Sequence, residues 1–126
     1  MNERNAELEA IRDTVHLYVE GLKTGNIDTL RKAFHPKAMM YGASANNVTV
    51  VEIEGLYGFV SANFPPPKSE DPHQCFITNI QYAGNAASVE MVEESAYGND
   101  YTNYFQLLKI DGQWLIVSKA YNAKTH

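Results

Sequence analysis

The feature that most constrains the fold is a long antiparallel hairpin in the last third of the chain. Two strand-like segments, residues 101–110 and 113–121, flank the dipeptide Asp111-Gly112. Asp-Gly favours a two-residue type I′ turn, because both central residues of that turn need a positive φ. Apolar residues lie on both faces of these segments, so neither face can be left wholly to water. A curved sheet that encloses a pocket on one side and meets a partner on the other would satisfy this pattern.

Length and composition indicate one globular domain over residues 1–126. A chain of this length can bury roughly two thirds of its unfolded surface, so its core needs neither a metal nor a disulfide. The net charge is −5, and the ten Lys and Arg residues are scattered along the chain. Nucleic-acid affinity depends on clustered positive charge, so we expect no nucleic-acid partner.

The cysteine content and the hydropathy pattern indicate the compartment. Cys75 is the single cysteine, so no intrachain disulfide forms and a reducing compartment is the simplest interpretation. The first residues are polar and lack the apolar region of a secretory signal. No apolar run approaches the ~18 residues that are needed to cross a bilayer. We therefore expect a cytoplasmic protein that does not associate with membranes.

The first third of the chain predicts two helices. Over residues 3–23, apolar side chains recur at three- and four-residue spacing and form one stripe. The stripe consists of Leu8, Ile11, Val15, Tyr18 and Leu22. Gly25 suits the left-handed position after a helix end, and Asn26 can cap a second helix over residues 27–33. Pro36 disfavours helical backbone at His35, so the second helix should end there.

The rest of the chain predicts one more helix and an antiparallel sheet. Short strands are expected over residues 38–41 and 48–53, followed by a third helix over residues 56–64 that the next prolines end. Strands over residues 74–82 and 86–97 then precede the hairpin. Helices segregated from antiparallel strands define an α+β domain.

This order of elements resembles the nuclear transport factor two-like superfamily, also called SnoaL-like or ketosteroid-isomerase-like. Three segments carry the resemblance: the helix end from Tyr18 to Asn26, the step Phe34-His35-Pro36, and the run from Tyr101 through Asp111-Gly112-Gln113-Trp114 to Lys119. The chain is most similar to the putative lumazine-binding branch. The resemblance implies a cone in which a strongly bent sheet wraps the long first helix and leaves a pocket at its open end. The superfamily includes isomerases, dehydratases, cyclases and non-catalytic association domains, so the fold does not fix the function.

The resemblance to ketosteroid isomerases implies a role for Tyr18, whose phenol would donate a hydrogen bond to a developing oxyanion. The structural alternative is a core tyrosine with a satisfied hydroxyl. The two acidic positions of the isomerases hold Gly42, which cannot abstract a proton, and Asn103, which can still donate a hydrogen bond. Steroid isomerase chemistry is therefore not expected, and whether the protein is an enzyme stays open.

His35 and Glu93 are the candidate general bases. His35 could titrate near neutrality, but we favour a helix-end histidine that bonds the terminal carbonyls. Glu93 continues the alternation that begins at Val89, and a carboxylate on an apolar face would have a raised pKa. A bulge would instead turn Glu90 or Glu94 inward, and we favour an edge carboxylate in solvent.

The predicted pocket lies on the face of the sheet that the resemblance makes concave. Its candidate ligand-binding residues are Tyr18, His35, Tyr41, Phe59, Glu93, Asn103, Phe105, Trp114 and Ser118. A few polar groups inside a mostly apolar cavity are typical of small-molecule sites, so we expect an apolar or heterocyclic ligand. The opposite face, through which superfamily members often dimerise, carries Tyr104, Leu108, Leu115, Val117 and Tyr121. We therefore predict a homodimer.

No metal site and no cofactor are predicted. His73 and Cys75 are two candidate ligands, but the sequence has no zinc-type spacing. Three functions stay open: a small-molecule-binding protein, an isomerase-, dehydratase- or cyclase-type enzyme, and an association domain with a plugged pocket. In the enzyme, Tyr18 would be the electrophile and His35 or a strand glutamate the base. A structure discriminates between these functions, since His35 or Glu93 beside an open cavity and opposite Tyr18 would favour the enzyme.

Overall fold

The computed structural model describes residues 2–66, 68 and 71–125. The elements within these residues are α1 (Glu3–Thr24), α2 (Ile27–Ala33), β1 (Phe34–Ala43), β2 (Val48–Glu52), α3 (Glu54–Asn63), β3 (Gln74–Ala83), β4 (Ala86–Ala96), β5 (Asn99–Ile110) and β6 (Gln113–Thr125). The strands form one curved, open, six-stranded sheet in the order β2-β1-β6-β5-β4-β3. All neighbouring strands are antiparallel except β1 and β6. The predicted α+β class is confirmed. No helix among the described residues is long and apolar enough to cross a membrane.

The residues that were predicted to end helices, cap them and form the hairpin turn have these roles in the structure. Gly25 takes a left-handed φ of 69° at the end of α1. The side chain of Asn26 accepts a hydrogen bond from the backbone N–H of Thr29 at 3.2 Å and so caps α2. Asp111 and Gly112 have φ angles of 51° and 81°, the positive values that a type I′ turn needs.

Helix α1 lies across the concave face of the sheet. Its stripe is buried from Ile11 to Leu22, while Leu8 at its outer end is only half-buried. The hydroxyl of Thr14 donates to the backbone carbonyl of Trp114 at 2.8 Å. The ring of Tyr18 packs edge-on against another core ring, that of Phe105 on β5, with 5.1 Å between the centroids. The helix therefore packs against the inner side of β5 and β6, and a space remains between it, α3 and the sheet.

A β-bulge in β6 decides which side chains face that space. Gln106 pairs with Ser118, whereas the next residue, Leu107, pairs with Ile116. Val117 is therefore an extra residue in β6. Because side chains alternate between the two faces of a strand, one extra residue reverses the alternation beyond it.

The reversal corrects two sequence-based assignments. Ser118 was predicted to face inward, but it lies on the outer face and its hydroxyl donates to the side-chain oxygen of Gln106 at 3.1 Å. Tyr121 was predicted to lie on the outer dimer surface, but beyond the bulge it turns inward together with Lys119. Asn103 on β5, which pairs with Tyr121, is fully buried as predicted for an inward position.

Candidate functional site

Glu93 on β4 is the centre of a buried polar cluster. Its Oε1 accepts hydrogen bonds from the hydroxyl of Tyr18 and from Nδ2 of Asn103, both at 2.7 Å. Its Oε2 lies 3.1 Å from Nε2 of His73. The expected edge carboxylate in solvent is therefore wrong. The strand keeps the inward alternation that begins at Val89, and three donors replace the water that the carboxylate loses.

These partners keep the carboxylate ionised. Burial by itself would raise the pKa of Glu93, but the hydrogen bond to His73, the positive charge of Lys119 and the hydrogen bond from Tyr18 outweigh it and hold the pKa below its ordinary value. Burial, followed by the adjacent carboxylate, raises the pKa of Tyr18 well above its ordinary value. Around neutral pH, Glu93 is therefore an anion and Tyr18 a neutral donor.

Lys119 on β6 is a buried cation beside this cluster, and the sequence analysis missed it. Its side chain faces inward because of the bulge at Val117, and the residue is 3% exposed. Nζ lies 4.2 Å from the ring centroid of Tyr121, 5.6 Å from that of Tyr18 and 5.9 Å from that of Tyr101. Among the described residues, Nζ makes no hydrogen bond and no ion pair. The three rings therefore replace part of its lost hydration.

The surroundings of Lys119 shift its protonation toward neutral pH. Burial lowers its pKa from 10.5 to about 8, although the negative charge of Glu93 opposes this change. At pH 7 about one molecule in ten then carries the neutral amine, against roughly one in 3,000 for an ordinary lysine. The neutral amine is both a base and a nucleophile, so this lysine has a reactive form that other lysines lack near neutrality.

A cavity of about 290 Å³ lies against the cluster. One wall is formed by Tyr18, Glu93, Tyr101, Lys119 and Tyr121. The remaining lining is mostly apolar and comes from α1, α3, the first two strands and the end of β4: Leu22, Met40, Thr49, Val51, Gly55, Leu56, Phe59, Ala96 and Tyr97. One polar wall in a mostly apolar cavity is typical of a small-molecule site.

Comparison with known proteins identifies the family. The chain matches the model of the family described as putative lumazine-binding over residues 6–122. It belongs to this family. The match covers the helix, the cavity wall and the hairpin, and it confirms the resemblance that the sequence analysis stated.

Individual proteins are also similar to this chain. The aldolase FrzH from Cladobotryum sp. is 28% identical over 122 residues, which are 94% of this chain and 93% of FrzH. An NTF2-like protein of unknown function from Shewanella baltica OS155 has a solved structure that is 30% identical, covers 100% of both chains and has a TM-score of 0.88. A second NTF2-like protein of unknown function, from Methylobacillus flagellatus KT, is 26% identical and has a TM-score of 0.85. The match covers 95% of this chain and 94% of the Methylobacillus chain. The family match and these structures place the chain among NTF2-like domains.

Three of the nine residues that the lumazine-binding resemblance predicted for the pocket line this cavity, namely Tyr18, Phe59 and Glu93. Asn103 lies directly behind the wall, where it holds the carboxylate. The phenol of Tyr18 and the amide of Asn103 do converge, but on one oxygen of Glu93 rather than on open space. In this arrangement their donors position the carboxylate.

The other five predicted residues do not line the cavity. Phe105 and Trp114 belong to the hydrophobic core. Tyr41 points away from the core on β1 and is 42% exposed. His35 lies in β1 rather than at a helix end, and its Nδ1 accepts the backbone N–H of Lys37 at 3.0 Å. The favoured bond to helix carbonyls is therefore wrong, because the backbone is already extended at this residue. Ser118 lies on the outer face, as described above.

Gly42, at the position of the isomerase base, is needed for the shape of the cavity. A Cβ at this residue would overlap the ring of Tyr121 on the neighbouring strand. No carboxylate can therefore replace this glycine without moving the ring. The ionisable groups in the described wall that can serve as a base are Glu93 and Lys119.

His73, Cys75 and Glu93 are the residues with which the described part of the chain could hold a metal ion. Their ligand atoms lie within 4.8 Å of one another, with Sγ of Cys75 3.5 Å from Nε2 of His73 and 3.9 Å from Oε2 of Glu93. Burial and then the nearby carboxylate raise the pKa of Cys75 to about 12, so the thiol is protonated at neutral pH. A metal would have to break the bond between His73 and Glu93. As it stands, the cluster holds the carboxylate in place.

Proposed function

We propose that this protein binds a small apolar or heterocyclic molecule that carries a carbonyl group, and that it catalyses proton transfer at the carbon next to that carbonyl. The observation that carries the proposal is the convergence of Tyr18, Glu93 and Lys119 on one wall of a mostly apolar cavity. Glu93 lies beside the cavity, but it is hydrogen-bonded to Tyr18 instead of lying opposite it, so the proposal assigns the acid–base step to Lys119.

Lys119 is the acid–base group that is best matched to neutral pH. General acids and bases work best when their pKa lies near the operating pH, and the pKa of Lys119 is about 8. Its neutral amine can remove a proton from carbon, and its ammonium can donate a hydrogen bond to the carbonyl oxygen and so stabilise an enolate. Glu93 is the fixed negative charge that stabilises the ammonium. Tyr18 donates its hydrogen bond to Glu93, and it reaches a substrate oxygen only by exchanging that bond.

The relative FrzH supports carbonyl chemistry in a cavity of this kind. It is an aldolase, and its similarity extends over 94% of this chain. An aldol reaction joins a carbon next to one carbonyl to the carbon of another, and it begins with removal of the adjacent proton. Proton transfer at such a carbon is the step that isomerases, dehydratases and aldolases share, which is why we propose this step rather than one complete reaction.

The test uses 2-tetralone, an apolar aromatic ketone, in deuterated water. The wild-type protein should accelerate deuterium exchange at the carbons next to the carbonyl, followed by proton NMR, and Lys119→Met should lose the acceleration. Lys124→Met is the matched control, because it removes an exposed lysine from the same strand, and it should behave as wild type. Thermal-shift screening against pterin-like, steroid-like and aromatic ketone compounds measures binding separately. If the protein binds these compounds but does not accelerate deuterium exchange, it is a binding protein and the catalytic part of the proposal is refuted.

A second proposal concerns the outer face of the sheet. We propose that a homodimer forms through an apolar row of which Tyr104 is 50% and Leu108 42% exposed, flanked by Leu115 and Val117. An apolar row of this kind marks an interaction surface. Sedimentation velocity at micromolar concentration should show a dimer, and Leu108→Glu should convert it to a monomer. Val48→Glu, at a valine that is 80% exposed on β2, is the control that should remain dimeric; a wild-type monomer would refute this proposal.

A further inference from the structure

We propose that Lys119 is a nucleophile that forms an imine with the carbonyl carbon of an aldehyde or ketone bound in the cavity. The inference rests on the proposed function, because it assigns the substrate class and a covalent step to the same cavity. It starts from a physical anomaly: a lysine side chain is buried with its charged end against aromatic rings, and no acidic group in the described part of the chain forms an ion pair with it.

Other lysines in the described chain show what a stabilised ammonium looks like. Nζ of Lys109 contacts both carboxylate oxygens of Glu7 at 3.0 Å, near the protein surface. Buried charges are normally paired in this way or shift to the neutral form. Lys119 has three tyrosine rings instead, and no ion pair joins it to Glu93. Packing alone does not explain this placement, because an apolar side chain of similar length would fill the same space without desolvating a charge.

A chemical role does explain it. An amine that is desolvated in an apolar pocket keeps its lone pair available, which is the usual way in which proteins activate a lysine for imine formation. Lys119 lines the cavity together with Tyr121, whose ring flanks Nζ most closely. The remaining lining is mostly apolar. The favoured substrate is therefore an apolar or aromatic molecule with its carbonyl group at one end.

The covalent step balances without any oxidant or reductant. The nitrogen of the neutral amine attacks the carbonyl carbon, a C–N bond forms and the oxygen takes up a proton to give a carbinolamine. The C–O bond then breaks, the oxygen leaves as water and a protonated imine remains. In sum, the ammonium and the ketone give the protonated imine and one water molecule. The imine draws electrons from the adjacent carbon, so its proton is removed more easily and the resulting enamine can attack a second carbonyl.

The experiment traps the imine in the intact protein. Wild-type protein is incubated with 2-tetralone and sodium cyanoborohydride at pH 7, and intact mass spectrometry followed by peptide mapping locates the reduced adduct. Surface lysines also react slowly, so the labelling rate of Lys119 is compared with that of exposed Lys124 in the same sample. We expect Lys119 to be labelled at least about tenfold faster, since its neutral fraction at pH 7 is roughly 300 times that of an ordinary lysine and its access is narrower. Lys119→Arg should lose this fast adduct and keep the slow ones.

The outcomes separate the imine from the proposed function. Fast labelling of Lys119 supports the imine. Accelerated deuterium exchange without labelling of Lys119 overturns the imine and leaves Lys119 as a simple base. Labelling of Lys119 at or below the rate of Lys124, with no exchange, overturns both. A fast adduct that persists in Lys119→Arg also overturns the assignment, because another amine would then carry it. Circular dichroism of Lys119→Arg and Lys119→Met shows that the comparison is made between folded proteins.

Discussion

Replacing the buried ammonium with an apolar side chain should stabilise the protein. Lys119→Met keeps an unbranched side chain of similar length in a site whose described contacts are mainly aromatic rings. Most substitutions of buried residues destabilise a fold by making cavities or burying unpaired polar groups. This substitution does the reverse, because it removes an unpaired charge and leaves the space filled. A gain in stability at a buried residue is therefore a distinctive outcome.

The magnitude follows from the shift in pKa. In the unfolded chain the lysine has its ordinary pKa of 10.5, and in the fold the pKa is about 8. One unit corresponds to about 1.4 kcal/mol, so holding the ammonium in the fold at pH 7 destabilises the protein by roughly 3 kcal/mol. The substitution also removes the positive charge that helps to keep Glu93 ionised. The net gain at pH 7 should therefore be about 1–3 kcal/mol.

The pH dependence identifies the origin of the gain. Below pH 8 the lysine is protonated in both states and the full destabilisation is present. Between pH 8 and 10.5 the folded state releases its proton while the unfolded state keeps it, so wild-type stability recovers as the pH rises. Above 10.5 both states are neutral and the difference disappears. The folded-state pKa values of Tyr18 and Tyr101 are raised above 10, so these two tyrosines titrate mainly above this window.

Urea unfolding between pH 7 and 10.5 tests this prediction. The free energies of unfolding of wild type and Lys119→Met should converge as the pH rises, while those of wild type and Lys124→Met should stay parallel and close. Groups that titrate in the same way in both proteins cancel in the difference. A difference that does not change with pH would refute the reasoning. So would a Lys119→Met protein that is less stable than wild type at pH 7, since the buried ammonium would then stabilise the fold.

Three further substitutions test the geometry of the cluster by urea unfolding. Tyr18→Phe removes the hydrogen bond to Oε1 of Glu93 at 2.7 Å, so unfolding free energy should fall by about 1.5–3 kcal/mol; no loss would show that the bond is not formed. Gly42→Ala forces the ring of Tyr121 to move, with an expected loss of about 1–3 kcal/mol, and an unchanged stability would contradict that contact. Asn103→Asp places a second carboxyl against Glu93, which raises the pKa of one of them and should destabilise the fold more at pH 8 than at pH 5; equal losses would show that the two carboxyls do not interact.

The fold was largely predictable because its signals are local. A positive-φ dipeptide joins β5 and β6, and Gly25 and Asn26 separate α1 from α2. The limits of β1 were not predictable in this way. The sequence indicated a strand only over residues 38–41, but parallel pairing with β6 extends β1 from Phe34 to Ala43. Pairing with a strand that is distant in the sequence determines where such a strand begins and ends, and the residues next to those ends carry no signal for it.

The residues of the cavity wall were less predictable than the fold, because one extra residue in β6 decides which side chains face the cavity. Alternation through the hairpin assigned Ser118 to the cavity, and the extra residue at Val117 gives that place to Lys119. A bulge without glycine leaves no clear mark in a sequence. The signal that could have revealed it is the lysine itself: without a bulge, the run from Ile116 to Tyr121 offers no inward residue that could neutralise Glu93.

The charges of the cluster also favour covalent over purely acid–base chemistry. Glu93 stays ionised partly because Lys119 is positive, so a lysine that waits as a neutral base leaves a buried carboxylate without its counter-charge. A protonated imine retains one positive charge on the same nitrogen, and the pair is preserved when the ketone is attached. The cation is absent in the attacking amine and in the carbinolamine, and it is absent again in the interval after the adjacent proton has been removed to give the enamine. The donors on Glu93 are Tyr18, Asn103 and His73, and their hydrogen bonds stabilise the anion through that interval.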